Sequence, residues 1–453
     1  MNDMEFARTV VDLATQARAD VAEVAISKAS EVRIEVKDGA PETVTSFQDS
    51  GFGVRVLVDG KMGFAASNRF DTSDAKRVVG DLVGMTKLHT ADEFNSIPTP
   101  GAQSSSDGVD EVFDEVVLST PLDRKVRRAV DIDIALRAAD ERIRGAAIHV
   151  YGDEAQEMVL VNSLGVEGLS RTTYSYAFVW AIAQDGDATE TGSHVEVSRT
   201  YDGLDTESVA RTAAEHALRM LGAGTGHSAE LPMIVPPEVG SELLAYLAQM
   251  LSADAVQKGK SLFAGRENTK VAADSVSIVD DGRLTGGLAT SAVDGEGVPT
   301  QRTPLITNGV LRGLLHDSYT AKRGDTRSTG NAGRGGYRSK PSISTTNLLL
   351  EPSSSTVESL TQGMDEGFYI TETQALHAAI NPASGQFSIP CKGLMIRGGD
   401  LCEPVTNLAI SGNLFDLLKD VDMVADDLTW TVTGGFIAAP TFRVGQVKIA
   451  SGD

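Results

Sequence analysis

The stretch VAEVAISKASEVRIEVKDGAPETVTSFQDSGFGVRVLVDGKMGFAASN, Val21 to Asn68, decides the architecture of the first half of the chain. Apolar and polar residues alternate in VRIEV (Val32 to Val36) and in GVRVLV (Gly53 to Val58). A period of two marks a strand, whereas a helix repeats near 3.6. Asp59-Gly60 is a hairpin turn signal, because both residue types tolerate positive φ. The stretch therefore reads as a meander of strands. Before it, residues 4–20 place Phe6, Val10, Val11, Leu13 and Ala14 at helical spacing. After it, residues 71–87 return to a helical pattern, with Thr72-Ser73-Asp74 as the expected cap.

The same order recurs further on. Residues 122–143 read as a charged amphipathic helix built on Leu122, Val126, Val130, Ile134 and Ala138. Strands follow from Gly145 to Gln184, with Asn162-Ser163-Leu164-Gly165 as a turn. The stretch SVARTAAEHALRML, Ser208 to Leu221, is again helical. Between the two units, residues 89–120 carry Pro, Gly, a serine run and no Lys or Arg, which predicts a long exposed loop. Two similar α+β halves are expected, although no residue-level repeat joins them.

GAGTGHSAE, Gly222 to Glu230, has spaced glycines but follows a helix and precedes a strand. A dinucleotide fingerprint needs the opposite order, so this is an interdomain linker. Beyond it come a strand, a helix, and then short strands. Turn signals stand at Asp280-Asp281-Gly282, Asn308-Gly309, Asn381-Pro382 and Gly398-Gly399-Asp400. That spacing predicts a β-barrel or sandwich. The class is α+β: an N-terminal domain over residues 1–225, with helices on antiparallel or mixed sheets, and a C-terminal domain over 226–453, rich in antiparallel strands.

Composition narrows the function. The chain has 453 residues, 41% hydrophobic and 23% charged, with a net charge of −23. Such a field repels polyanions, so no direct nucleic-acid contact is expected. No run of 18 apolar residues suggests a membrane span. The first residues lack the basic and apolar regions of a signal peptide, and two cysteines, Cys391 and Cys402, make no disulfide framework. A cytoplasmic protein is expected.

Common catalytic signatures are missing. No G-x-S-x-G or Walker A motif is present. None of the seven histidines pairs with another at helical ligand spacing, so each reads as structural or surface. One segment breaks the acidic trend. AKRGDTRSTGNAGRGGYRSKP, Ala321 to Pro341, has six basic residues against Asp325 and reads as a flexible loop. Its arginines suit a carboxylate. The following SISTTNLLLEP, Ser342 to Pro352, reads as a strand whose edge an extended peptide could extend. Arg334, Arg338, Thr346, Asn347 and His377 are the candidate peptide-binding residues.

The stretches TGNAGRGGYRSKPSISTTNLLLEP (Thr329 to Pro352), INPASGQFSIPCKGLMI (Ile380 to Ile396) and PVTNLAISGNL (Pro404 to Leu414) resemble the TldD/PmbA family, and so does QDSGFGVRVLVDGKMGFAASN (Gln48 to Asn68). The resemblance covers essentially the whole chain. It implies membership of a family described both as modulators of DNA gyrase and as metallopeptidases. In its TldD-like branch a helix carries His-Glu-x-x-x-His, and a Cys near the C-terminus completes a zinc site. Its PmbA, or TldE, branch lacks those ligands. Laid on that motif, MIVPPEVGSELLAYLAQML (Met233 to Leu251) puts Pro237 at the first His, Glu238 at the Glu and Glu242 at the second His. The C-terminal stretch Thr433 to Ala450 has no Cys.

No metal or cofactor is therefore expected in this chain, and no catalytic residue is assigned. Pro offers no lone pair, and Glu near a helix start is favoured by the helix dipole. The resemblance implies a non-catalytic subunit of a zinc metallopeptidase acting on unfolded or leader peptides, with a TldD-like zinc-bearing partner or a second copy of itself. The alternatives are a stand-alone homodimeric peptide-binding or gyrase-modulating protein, and a hydrolase with a non-standard metal site.

Overall fold

Six strands lie in one antiparallel sheet in the N-terminal half. They are β1 (Val21–Lys37), β2 (Ala40–Val58), β3 (Lys61–Ser67), β4 (Ile143–Asn162), β5 (Glu167–Asp185) and β6 (Ala188–Ser198). Their order is β3-β2-β1-β4-β5-β6, so the two meanders join through β1 and β4 into a continuous sheet. This computed structural model describes residues 1–100, 109, 113–432 and 435–452. Part of the expected loop at 89–120 lies outside the described residues. Within its described part, Glu115–Ser119 is a short helix, α3, which corrects the reading of that segment as loop throughout.

Helices cover one face of the sheet. α1 (Asp3–Gln16) and α2 (Thr72–Thr86) pack Phe6, Val10, Val79 and Val83 against Val24, Ile26, Val54 and Val56. α4 (Leu122–Ala138) and α5 (Thr206–Arg219) pack Ile132, Leu136, Ala213 and Ala217 against Ile34, Tyr151, Ala177 and Val179. Ile26 and Ile34 are both even-numbered on β1, so both helix pairs lie on one face. The cap of α2 is Asp71, whose carboxylate accepts from the Ser73 and Asp74 amides, in place of the expected Thr72-Ser73-Asp74. Asp fits because its side chain reaches two otherwise orphaned donors.

The C-terminal half holds a closed barrel. β7 (Gly224–Thr225) leads in, and β8 (Ala229–Val235) pairs with Glu366–Thr373 on one side and Phe442–Ser451 on the other. Gln386–Arg397 and Asp400–Asn413 complete the ring, which closes where Leu408 to Ser411 meet Lys448 to Ser451. A second, six-stranded sheet lies beside it. α6 (Pro237–Met250) sits between the two, with Val239, Leu243 and Leu247 in a core shared with Phe368 and Ile389 of the barrel and Ile278 and Leu348 of the second sheet. Among the described residues no helix is long and apolar enough to cross a membrane.

The domains meet on the sheet face opposite the helices. Gly51 and Gly53 explain the GFG of β2. A Cβ on Gly53 would lie 2.3 Å from the Tyr337 carbonyl, and one on Gly51 2.3 Å from the Tyr337 ring. Only glycine lets the C-terminal segment lie this close to the strand.

Candidate functional site

β8 ends at Val235, and Pro236-Pro237 starts α6 without a side-chain cap. Proline is suited there, since its missing N–H would be unbonded anyway. The first turns of α6 carry Glu238 and Glu242 into a cavity of about 100 Å³ at the domain boundary. Phe178, His194, His216 and Tyr369 are among the other lining residues.

Two histidines whose spacing in the sequence does not join them come together here: His194 bonds Glu238, and His216 stands beside His194. His194, on edge strand β6, places Nδ1 3.2 Å from Glu238 Oε1 and Nε2 3.3 Å from Glu196 Oε1. A carboxylate only accepts, so both ring nitrogens must carry protons and His194 is an imidazolium. Burial alone would lower its pKa, but the hydrogen bonds and charges of Glu196 and Glu238 outweigh this and raise it to about 9. His216, on α5, stands edge-on to His194 at 6.0 Å and donates through Nδ1 to the Ser193 carbonyl at 2.9 Å. Burial lowers the pKa of His216.

The two glutamates differ. Burial would raise Glu238, yet the His194 hydrogen bond and the helix-start amide hold its pKa below the usual value. Glu242 moves the other way, because burial dominates and Glu372 and Glu238 repel its charge. The Thr373 hydroxyl donates to it at 2.6 Å. Close by, Lys392 spans the boundary, 3.1 Å from Glu372 and 2.8 Å from the Thr191 carbonyl.

The basic segment at 321–341 folds differently from the expected flexible loop. It contains the end of the helix Ser318–Arg323 and the strand Ala332–Gly333. The side chain of Arg334 is buried, ion-paired to Glu23 and bonded to the Gly295 carbonyl. Glu23 also binds Arg55 at 2.7 Å, and Arg55 binds Glu296 at 2.8 Å, so two carboxylates and two guanidiniums neutralise one another inside the contact. Arg338 stays exposed, pairs with Asp49 and stacks on Tyr337 at 4.4 Å.

The strand expected to offer an edge, Asn347–Leu350, is central in its sheet, flanked by Ile278–Asp281 and Phe436–Ala439. This corrects that expectation. Asn347 is fully buried, and its amide serves the Asp281 carbonyl, Thr290 and the Ala289 amide, so it is a structural tie. Thr346 donates to the buried Asp280 and lines a groove of about 340 Å³ with Arg334, Asn331, Thr172 and Phe436. The structure thus gathers Arg334 and Thr346 at one groove and keeps Glu238 and Glu242 at the other cavity. The side chain of His377 lies outside the described residues.

Models described as PmbA/TldA metallopeptidase domain 1, central domain and C-terminal domain match residues 22–86, 115–221 and 228–451. The chain belongs to the PmbA/TldD family. An uncharacterised protein of Methanocaldococcus jannaschii is 30% identical over 88% of this chain and 90% of its own length. Metalloprotease PmbA of Escherichia coli O157:H7 is 23% identical over 98% of this chain and 95% of its own. A solved Thermotoga maritima structure, described as a candidate modulator of a DNA gyrase, has TM-score 0.88 and 26% identity, covering 98% of this chain and 99% of that one. TldE from Thermococcus kodakarensis shares the fold at TM-score 0.91 and 22% identity, over 98% of this chain and 100% of that one.

A family of metallopeptidases implies a metal, and these residues do not fit one. Pro237 offers no donor atom. Both nitrogens of His194 are protonated between carboxylates, and His216, whose Nδ1–H donates to a carbonyl, has Nε2 alone to offer, a single nitrogen donor. Among the described residues no three His, Cys, Asp or Glu side chains are grouped to hold an ion. The cavity is an ion-paired junction in which Glu196 and Glu238 flank His194.

Proposed function

We propose that this chain is a PmbA/TldE-like, non-catalytic subunit of a zinc metallopeptidase that acts on unfolded or leader peptides. Its partner would be a TldD-like chain that supplies the zinc. The observation that carries this reading is His194. It lies between Glu238 and Glu196, at the helix turn where the family motif has its metal, and keeps no lone pair for one. The fold of the whole family unit is retained around that junction, so the chain keeps a shape to contribute without the chemistry. Its role would be to form a wall of the peptide chamber and hold the partner in its working form.

The test is reconstitution. A TldD-like chain bearing His-Glu-x-x-x-His is incubated with an unfolded peptide, with and without this protein, and cleavage is followed by mass spectrometry. Cleavage should require the pair and should survive Glu238→Gln here, while loss of the partner's motif abolishes it. Cleavage that is unchanged without this chain would sink the reading.

A further inference from the structure

The helices leave the other face of the sheet to the C-terminal half, and on β5 that face runs from one cavity to the other. On β5, Thr173, Ser175, Ala177 and Val179 are buried, while Thr172, Tyr174, Tyr176 and Phe178 alternate with them half-exposed. Thr172 lines the groove beside Arg334 and Thr346, and Phe178 lines the cavity of Glu238. Tyr174 and Tyr176 lie between those two lining residues on the same face of β5. From Ser170 to Phe178 this face of β5 is roughly 27 Å long, the reach of an extended peptide of about eight residues.

Its middle carries an unbalanced charge among aromatic rings. Phe436 stands edge-on to Tyr174 at 5.3 Å, and Tyr176 lies 6.2 Å from it. The Tyr174 hydroxyl donates to Glu154. Across the ladder, Glu154 sits directly opposite Glu31. Like charges opposite each other in an antiparallel pair are destabilising. The neighbouring cation on this face, Arg33, is already committed to Glu35 at 3.0 Å and to the Tyr176 hydroxyl at 3.4 Å. Two partly buried carboxylates thus face each other beside three aromatic rings and, among the described residues, without a cation paired to them.

We infer that Tyr174, Tyr176, Phe436, Glu31 and Glu154 form a subsite for a lysine or arginine side chain of an extended peptide lying along β5. A cation there meets ring faces and two carboxylates together, and both attractions grow as the site is shielded from water. An acidic side chain at the same place would be repelled. The inference rests on the reading of the chain as a peptide-handling subunit and adds which side chains it favours.

The test uses the full chain and two fluorescent twelve-residue unstructured peptides that differ only in a central Lys or Gln. At low ionic strength the wild-type chain should bind the Lys peptide about five- to tenfold more tightly. E31Q/E154Q should remove that preference while leaving the affinity for the Gln peptide unchanged. Tyr174→Leu, which keeps both carboxylates, should weaken the preference independently. Equal affinities in the wild type, no binding of either peptide, or a preference that survives E31Q/E154Q overturns the subsite. Partner-dependent cleavage with no Lys preference leaves the subunit reading standing alone. A Lys preference in a chain that the partner does not need leaves the subsite standing alone.

Discussion

Arg334 and Glu23 are 311 positions apart in the chain, and their side chains meet inside the domain contact with 1% of each exposed. Glu23 serves two guanidiniums at once, since Arg55 bonds it with Nε at 3.1 Å and Nη2 at 2.7 Å. Burial would push its pKa up, but Arg55 and Arg334 outweigh that and hold it low. Glu23→Ala would leave Arg55 and Arg334 buried with Glu296 as the remaining carboxylate. Breaking such a network from one side costs about 3–5 kcal/mol, because the abandoned charges stay desolvated. Denaturant unfolding should show that loss. A change below about 1 kcal/mol would mean that the buried network adds nothing.

The imidazolium of His194 makes stability depend on pH. Its folded pKa is raised to about 9 from an ordinary 6.5. A raised basic group stabilises fully below its unfolded value, so this contribution is complete below pH 6.5 and fades as pH rises through about 9. Glu238 works oppositely: its depressed pKa stabilises above the ordinary 4.5 and is lost as pH falls through the folded value. The junction should therefore be firmest between those two ordinary values. Thermal melting of the wild type should drop from pH 6.5 to 9.5 by the equivalent of about 1–3 kcal/mol. His194→Gln should lack that slope, and an identical slope in the variant would assign it elsewhere.

Much of the fold was legible, and the reasons are physical. Period-two alternation on β1 and β2 and period-3.6 patterns on α1 and α5 are local properties of the chain. The two faces of β5 were also written there, in TYSYAFVW, but alternation cannot say what covers each of them. The site was legible only in part. Pro237, Glu238 and Glu242 could be placed by resemblance. His194 and His216 could not, because they reach Glu238 only after two domains pack. Arg334 was misread because glycines around a basic residue look alike in a loose loop and in a segment pressed against another domain. The strand of Asn347 was expected to offer a free edge because a short strand does not announce whether its edges are taken.

Gly192 on β6 sets how closely α5 approaches the site. A Cβ there would lie 2.2 Å from the Ala217 amide nitrogen and 2.4 Å from the His216 carbonyl carbon. Both are backbone atoms of α5, so no side-chain rotation relieves the clash. Gly192→Ala should cost about 1–3 kcal/mol in thermal or denaturant unfolding. It should also displace His216 from the Ser193 carbonyl and so flatten the pH dependence of the junction. A variant as stable as the wild type would show that α5 can shift without cost.

Metal uptake tests the chemistry of the junction from another side. For His194 to bind zinc at pH 7 it must first give up a proton held with a pKa of about 9. That costs roughly 3 kcal/mol before any bond to the metal forms. The ion would also need further nitrogen or sulfur donors; Pro237 supplies none, and His216 has only Nε2 to offer because its Nδ1–H donates to Ser193. The purified chain should therefore carry substoichiometric zinc by elemental analysis, and added zinc should leave its melting temperature unchanged at pH 7. Any affinity that does exist should rise with pH as the imidazolium titrates. Stoichiometric zinc at pH 7, lost in His194→Ala, would show that the carboxylates do not hold the proton and that the junction is a metal site after all.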